Sequence, residues 1–191
     1  MRANSLILPD TKHLNLEEMT GRAATYGFRH ARYDEVYDGL QIAEAATGER
    51  LSSAAALSYV DSVTQMSNWV TGEPVDGVMV VAPVSDLGAM ALLDGSFDVE
   101  RPLKIWLSHR GRYCAGLYIG IVAGKSLETR RRLMMMLSVL RAEFFSDVYC
   151  FARGVTDEGR RAMRSLGMTP HPTEASCLFA QAPRRQKEMA A

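Results

Sequence analysis

The chain has no apolar run near the roughly 18 residues that a membrane-crossing helix needs. Its longest apolar stretches, Gly77 to Val84 and Ala115 to Ala123, are strand-sized, so no membrane partner is expected. The opening residues, Met1 to Pro9, hold too short an apolar segment for a secretory signal, and the expected location is cytoplasmic. Cysteine is scarce. Cys114, Cys150 and Cys177 are odd in number, widely spaced and set in apolar sequence, which argues against a disulfide framework and a zinc site. They read as buried or half-buried thiols acting as small hydrophobes, and no metal site is expected. Internal repeats and low-complexity linkers are missing too, so nothing in the pattern divides the chain.

What is present is 191 residues, 47% of them hydrophobic, enough for one sizeable core. The expectation is a single domain over residues 1–182 and a charged, frayed tail over 183–191. The zero net charge hides an asymmetry: residues 1–100 carry 6 Lys and Arg against 15 Asp and Glu, and residues 101–191 carry 16 against 7. The acidic half suits a cation or basic partner, the basic half a phosphate.

The first half reads as mostly helical, over 14–25, 33–46 and 52–66. Tyr33, Val36, Tyr37, Leu40, Ile42 and Ala43 fall close to helical spacing, and Ser52-Ser53 offers a cap before Ala54. Trp69-Val70, the turn from Thr71 to Asp76 and the apolar run from Gly77 to Val84 read as a hairpin. A short helix is expected over 86–93, a strand over 103–108 and a second over 113–122. The helix over 129–145 follows, with Met134-Met135-Met136 on it; at about 100° per residue the three methionines cannot share one face, so at least one is expected to leave the core. A strand around Tyr149, a basic helix closing at Gly167, a turn over 170–173 and a last strand over 176–180 complete the series.

This β-α-β-α order from Cys114 to Met168, with its helix-stopping Gly167-Met168, resembles the C-terminal half of the GCN5-related N-acetyltransferase family. The wording Gly72-Glu73-Pro74-Val75-Asp76-Gly77 is similar to the hairpin between that family's second and third strands. The resemblance implies an α+β fold, acyl-CoA N-acyltransferase-like, with a mixed, mostly antiparallel central sheet flanked by helices. It implies acetyl-CoA or another acyl-CoA as the bound thioester, and a small-molecule or protein amine as acceptor. In the family, a strand pairs with the pantetheine and the next helix N-terminus holds the pyrophosphate on backbone amides. Carried over here, that strand supplies Ile121, Val122, Ala123 and Gly124, and the loop supplies Lys125. The family's loop glycines are replaced by Leu127-Glu128-Thr129, and Arg130, Arg131 and Arg132 become the candidate phosphate contacts, because guanidinium groups bind phosphate in bidentate fashion. The alternative for these arginines is a solvated basic helix face.

The family's chemistry calls for a base near the acceptor nitrogen and an acid for the leaving thiolate. No Asp or Glu lies in Tyr113 to Ala123, so His109, just before it, is the candidate base. Met163 stands where the family's acidic tyrosine is expected; Tyr149 is the candidate acid, with Tyr118 beside it as an alternative. Gly124-Lys125-Ser126 matches the end of a phosphate-binding P-loop, but the first glycine would have to fall at Ile119.

Two further readings stand beside the acyltransferase. One is a non-catalytic binding or regulatory module on the same fold, acting through a protein partner or another anionic ligand. The other is a nucleic-acid surface built from Arg130 to Arg132, Arg141, Arg160, Arg161 and Arg164, for which neither interleaved aromatics nor a recognition motif is present. Nucleic acid is therefore not the expected partner. Methionine-rich helix surface and a C-terminal strand suit a homodimer.

Overall fold

Side-chain caps start five of the six α-helices in the computed structural model, which describes residues 12–13, 15–109, 113–172 and 177–184. Asn15 precedes α1 (Leu16–Ala24), Ser53 precedes α3 (Ala54–Thr64) and Ser85 precedes α4 (Asp86–Asp94). Ser126 precedes α5 (Leu127–Val139) and Thr156 precedes α6 (Asp157–Ser165). Each side-chain oxygen accepts from the amide three residues on, satisfying a donor that the helix itself leaves open. The exception, α2 (Tyr33–Thr47), folds the Glu35 carboxylate back to accept from the Arg32 amide at 2.9 Å.

The strands are β1 (Lys12–His13), β2 (Phe28–His30), β3 (Asn68–Thr71), β4 (Gly77–Val84) and β5 (Tyr113–Cys114). After them come β6 (Gly116–Gly124), β7 (Tyr149–Arg153), β8 (Thr169–Pro170) and β9 (Leu178–Gln181). Seven form one open sheet in the order β2-β3-β4-β6-β7-β9-β8, and β1 pairs with β5 apart from it. Every pairing in the large sheet is antiparallel except β6 with β7. Helices cover both faces. Met19 of α1, Leu133 and Leu137 of α5 and Met163 of α6 pack on Met79, Val81, Leu117 and Ile119. Val36 and Ile42 of α2, Leu57 and Val60 of α3 and Leu92 of α4 cover Val78, Val80, Ala82, Val84 and Tyr118. The fold is thus α+β, a mixed and mostly antiparallel sheet flanked by helices, the arrangement of acyl-CoA N-acyltransferase-like proteins.

One irregularity shapes the sheet's middle. Val80 pairs with Ile121 and Val81 with Ile119, leaving Gly120 as an extra residue in β6. The bulge reverses the side-chain alternation: Leu117, Ile119 and Val122 face α5, whereas Tyr118, Ile121 and Ala123 face α2 and α3.

Several sequence expectations need correction. Leu103 to Ser108 is not a strand; Lys104–Trp106 is a 3-10 turn, and only an isolated bridge joins Leu107 to Val84. The Ser85 amide and hydroxyl donate to the carbonyls of Trp106 and Ile105, which draws that segment onto α4 instead of the sheet. The strand expected over 113–122 divides at Ala115 into β5 and β6. The half read as helical also holds β2, and Cys177 is exposed while Cys114 and Cys150 are buried. Pro183 is buried and the Arg184 amide donates to Ser146 O at 3.0 Å; residues 185–191, the rest of the expected frayed tail, lie outside the described residues. Of the three methionines on α5, Met136 is buried, Met134 half-buried and Met135 exposed, as the helical angle required.

Candidate functional site

The parallel β6–β7 ladder runs from the Gly116–Tyr149 pair to the Ile119–Ala152 pair and stops. Beyond it the strands part, and among the described residues no strand lies beside the edge of β6 from Gly120 to Gly124 that faces away from β4. A backbone edge of this kind keeps its hydrogen-bonding groups open to an extended ligand. The gap opens into a cleft of about 780 Å³, within the range of small-molecule and cofactor sites. Its walls are α2 (Asp38, Gln41, Ile42), the turn at Pro74-Val75, the end of β6, and the first turns of α5 and α6.

Tight packing places the start of α5 at the cleft's edge. Gly77 and Gly124 pair across β4 and β6, and an added Cβ would meet Thr129 Cγ2 at 2.6 Å and 3.0 Å respectively, so two bare backbones let the helix settle on the sheet. Asp76 ties the hairpin to the same turn: its Oδ2 accepts from Thr129 Oγ1 at 3.0 Å and from Arg132 Nη2 at 3.3 Å, and its carbonyl accepts from the Lys125 amide at 2.8 Å. Ser126 caps the Thr129 amide, which leaves the Leu127 and Glu128 amides as the donors at the helix start.

The arginine series divides according to these contacts. Arg130 lines the cleft and pairs with Glu158 of α6 at 3.1 Å. Arg132 is turned the other way onto Asp76, and Arg131 is exposed outside the cleft wall. Lys125 lines the cleft while its Nζ donates to Val75 O at 2.8 Å. Of the expected thioester contacts, the structure therefore brings Val122, Ala123, Gly124, Lys125 and Arg130 together in one cleft. Ile121 faces the opposite side, in a second, smaller cavity.

His109 and Tyr149 lie elsewhere. Tyr149 pairs with Gly116 at the start of β7 and stacks on Phe151 at 5.9 Å, about 13 Å along the strand from the bulge. His109 follows Ser108, whose amide donates to Pro83 O, so it stands at that same end of the sheet. Neither lines the cleft. Tyr118 is buried, and burial raises its phenol above the ordinary value. Met163 does line the cleft, at the α6 position where the sequence resemblance leads us to expect a tyrosine. Burial pushes the Cys114 and Cys150 thiols up to about 12, which removes both as nucleophiles.

Sequence reasoning did not find Asp38, Gln41, Asp76 or Glu158. The signal for Glu158 was within reach: Thr156 and Gly159 mark a capped helix start, and the acid lies in its first turn. Asp38 and Gln41 are some 80 residues from β6 in the chain and look like ordinary solvated helix positions.

Among the described residues, no group of three or more His, Cys, Asp or Glu side chains is placed to hold a metal ion, and no helix is long and apolar enough to cross a membrane. The chain matches no protein-family model and no curated protein.

Proposed function

We propose that the chain is a divergent member of the GCN5-related N-acetyltransferase superfamily that binds an acyl-CoA in the β6–β7 cleft and passes the acyl group to an amine. The observation that carries this reading is the parting of two parallel strands at a bulge, with helix α5 starting directly beyond the freed strand. The free edge of β6 suits the amides of a pantetheine arm, and the Leu127 and Glu128 amides at the start of α5 suit a phosphate. Arg130 adds a side-chain cation once a phosphate takes the place of Glu158, an exchange that costs little because an exposed ion pair is worth about 0–1 kcal/mol. The thioester supplies an activated carbonyl; backbone N–H groups near Val122 polarise its oxygen as the amine nitrogen attacks and the carbon–sulfur bond breaks.

Met163 favours a second reading, a non-catalytic module that binds the thioester without turning it over, because a thioether cannot protonate a leaving thiolate. Cytoplasmic location, a homodimer and the nature of the amine acceptor belong to the same proposal.

Isothermal titration with acetyl-CoA, with desulfo-CoA and ADP beside it, tests the binding step. Saturable binding is expected, weakened about tenfold in Arg130→Ala and strengthened a few-fold in Glu158→Gln, which frees the guanidinium and removes a like charge from the phosphate's surroundings. No binding at millimolar ligand would sink both the enzyme and the thioester-binding module. Binding without thiol release across a panel of amines would select the module.

A further inference from the structure

Under α3, on the face of the sheet that Tyr118 and Ile121 share, a small cavity of about 50 Å³, partly open at Val99, lies among Leu57 and Val60 of α3, Val80 and Ala82 of β4, Phe97 and Tyr118. A single water needs at least about 10–15 Å³, so the space takes no more than a few groups of that size. No charged side chain lines it, and apart from the Tyr118 phenol the polar wall is Ser52. Ser52 is 6% exposed, and its Oγ has no hydrogen-bond partner among the described residues. An amine acceptor arrives as a cation and would find neither a carboxylate nor room for a peptide or aromatic ring. A short hydrocarbon chain with a carbonyl at its root fits both features, since the chain fills the apolar volume and the carbonyl oxygen gives the hydroxyl a partner.

Continuity with the cleft identifies where such a chain would come from. Gly120 and Ile121 line the cavity and Val122 and Ala123 line the cleft, so consecutive residues of β6 wall both. The chain leaving α2 also borders both, with Ala46 and Thr47 at the end of α2 on the cleft and Leu51 and Ser52 beyond it on the cavity. The two spaces adjoin along β6 next to the bulge, where Gly120 has no side chain and an added Cβ would find Tyr118 Cε1 and Val80 O at 3.6 Å.

Resting on the reading of the cleft as an acyl-CoA site, we infer that the acyl group is longer than acetyl, a straight or branched chain of four to six carbons whose tail occupies this cavity. Titration calorimetry of the whole chain with free CoA and its acetyl, butyryl, hexanoyl and decanoyl thioesters tests the inference. Affinity is expected to rise about fourfold per buried methylene, making butyryl-CoA roughly fifteenfold tighter than acetyl-CoA, to level at hexanoyl and to fall at decanoyl. Ala82→Val, which fills the cavity from β4, should flatten the acetyl-to-butyryl gradient to within about twofold while free CoA binds as before. Val99→Ala, on the partly exposed wall, should move the optimum to a longer chain, and it keeps the test open should the first variant not fold. A protein that binds free CoA but shows equal affinity from acetyl to hexanoyl overturns this inference alone. One that binds none of the five ligands overturns the inference together with the reading beneath it.

Discussion

Glu35 is 3% exposed at the start of α2, where Arg29 grips both carboxylate oxygens at 2.6 Å and Arg32 adds a third contact at 2.7 Å. The Arg29 hydrogen bonds, against the opposing cost of burial and with help from the Arg32 amide, hold this carboxyl down at about 2, far below its ordinary 4.5. A carboxylate whose folded value is depressed stabilises the fold above its unfolded value and loses that contribution as pH falls through the folded one. Glu35→Gln should therefore cost about 1–2 kcal/mol at pH 7, a modest figure because Arg29 and Arg32 remain partly solvated. The gap to wild type should shrink from pH 4.5 downward and vanish near pH 2, as read by urea denaturation across that range. An unchanged gap at pH 2 would mean that the ionised carboxylate is not its source. The contact also fixes the entry angle of α2, the helix that carries Asp38 and Gln41 to the cleft.

Two glycines inside helices separate propensity from packing at the scale of elements. An added Cβ at Gly21 in α1 meets nothing within 4 Å, whereas one at Gly39 in α2 would stand 2.8 Å from Val78 Cγ2. Gly21→Ala should stabilise by about 0.5–1 kcal/mol. Gly39→Ala, chemically the same change, should destabilise by about 1–3 kcal/mol because the helix must lift off β4. Opposite signs in chemical denaturation are the expected result; the same sign would show that α2 can ride outward freely. In the sequence, Gly39 looks like a break in a helix. It is instead the point where the helix lies closest to the sheet, and only the position of Val78 reveals this. The β3–β4 hairpin, α5, β7 and α6 were legible because each joins a capping or turn residue to a long apolar pattern. β2 was not, since three residues are too few to show alternation. Nor was the bulge, which exists only in the register of β6 against β4. The cleft was half legible: its β6 and α5 wall follows from chain order, while its α2 and α6 wall depends on how distant segments close over the parted strands.

For the whole molecule, the charge asymmetry between the chain's halves is partly taken up by contacts, although Arg131 and Arg161 are exposed. Arg130 pairs with Glu158, Arg132 with Asp76 and Arg160 with Asp157, and Arg141 bonds to Gln181 and the Ala182 carbonyl. Arg164 lies over the Phe179 ring. Charges held this way are poorly placed to release counterions from a phosphate backbone. A labelled oligonucleotide should accordingly show no saturable polarisation change at 50 mM salt; strong binding that collapses with added salt would restore the nucleic-acid reading.

The seam between β4 and β6 also has a consequence for how the chain is made. All eight residues of β4 are buried in the finished molecule, and one of its two edges is completed only by residues 116–124. Until the ribosome has delivered β6, the nascent N-terminal half presents an open, apolar strand edge, the kind of surface that recruits chaperones or other unfinished chains. A transcript interrupted before Gly116 would leave that edge exposed for good, so loss of the C-terminal half should give an aggregating fragment instead of a smaller folded protein.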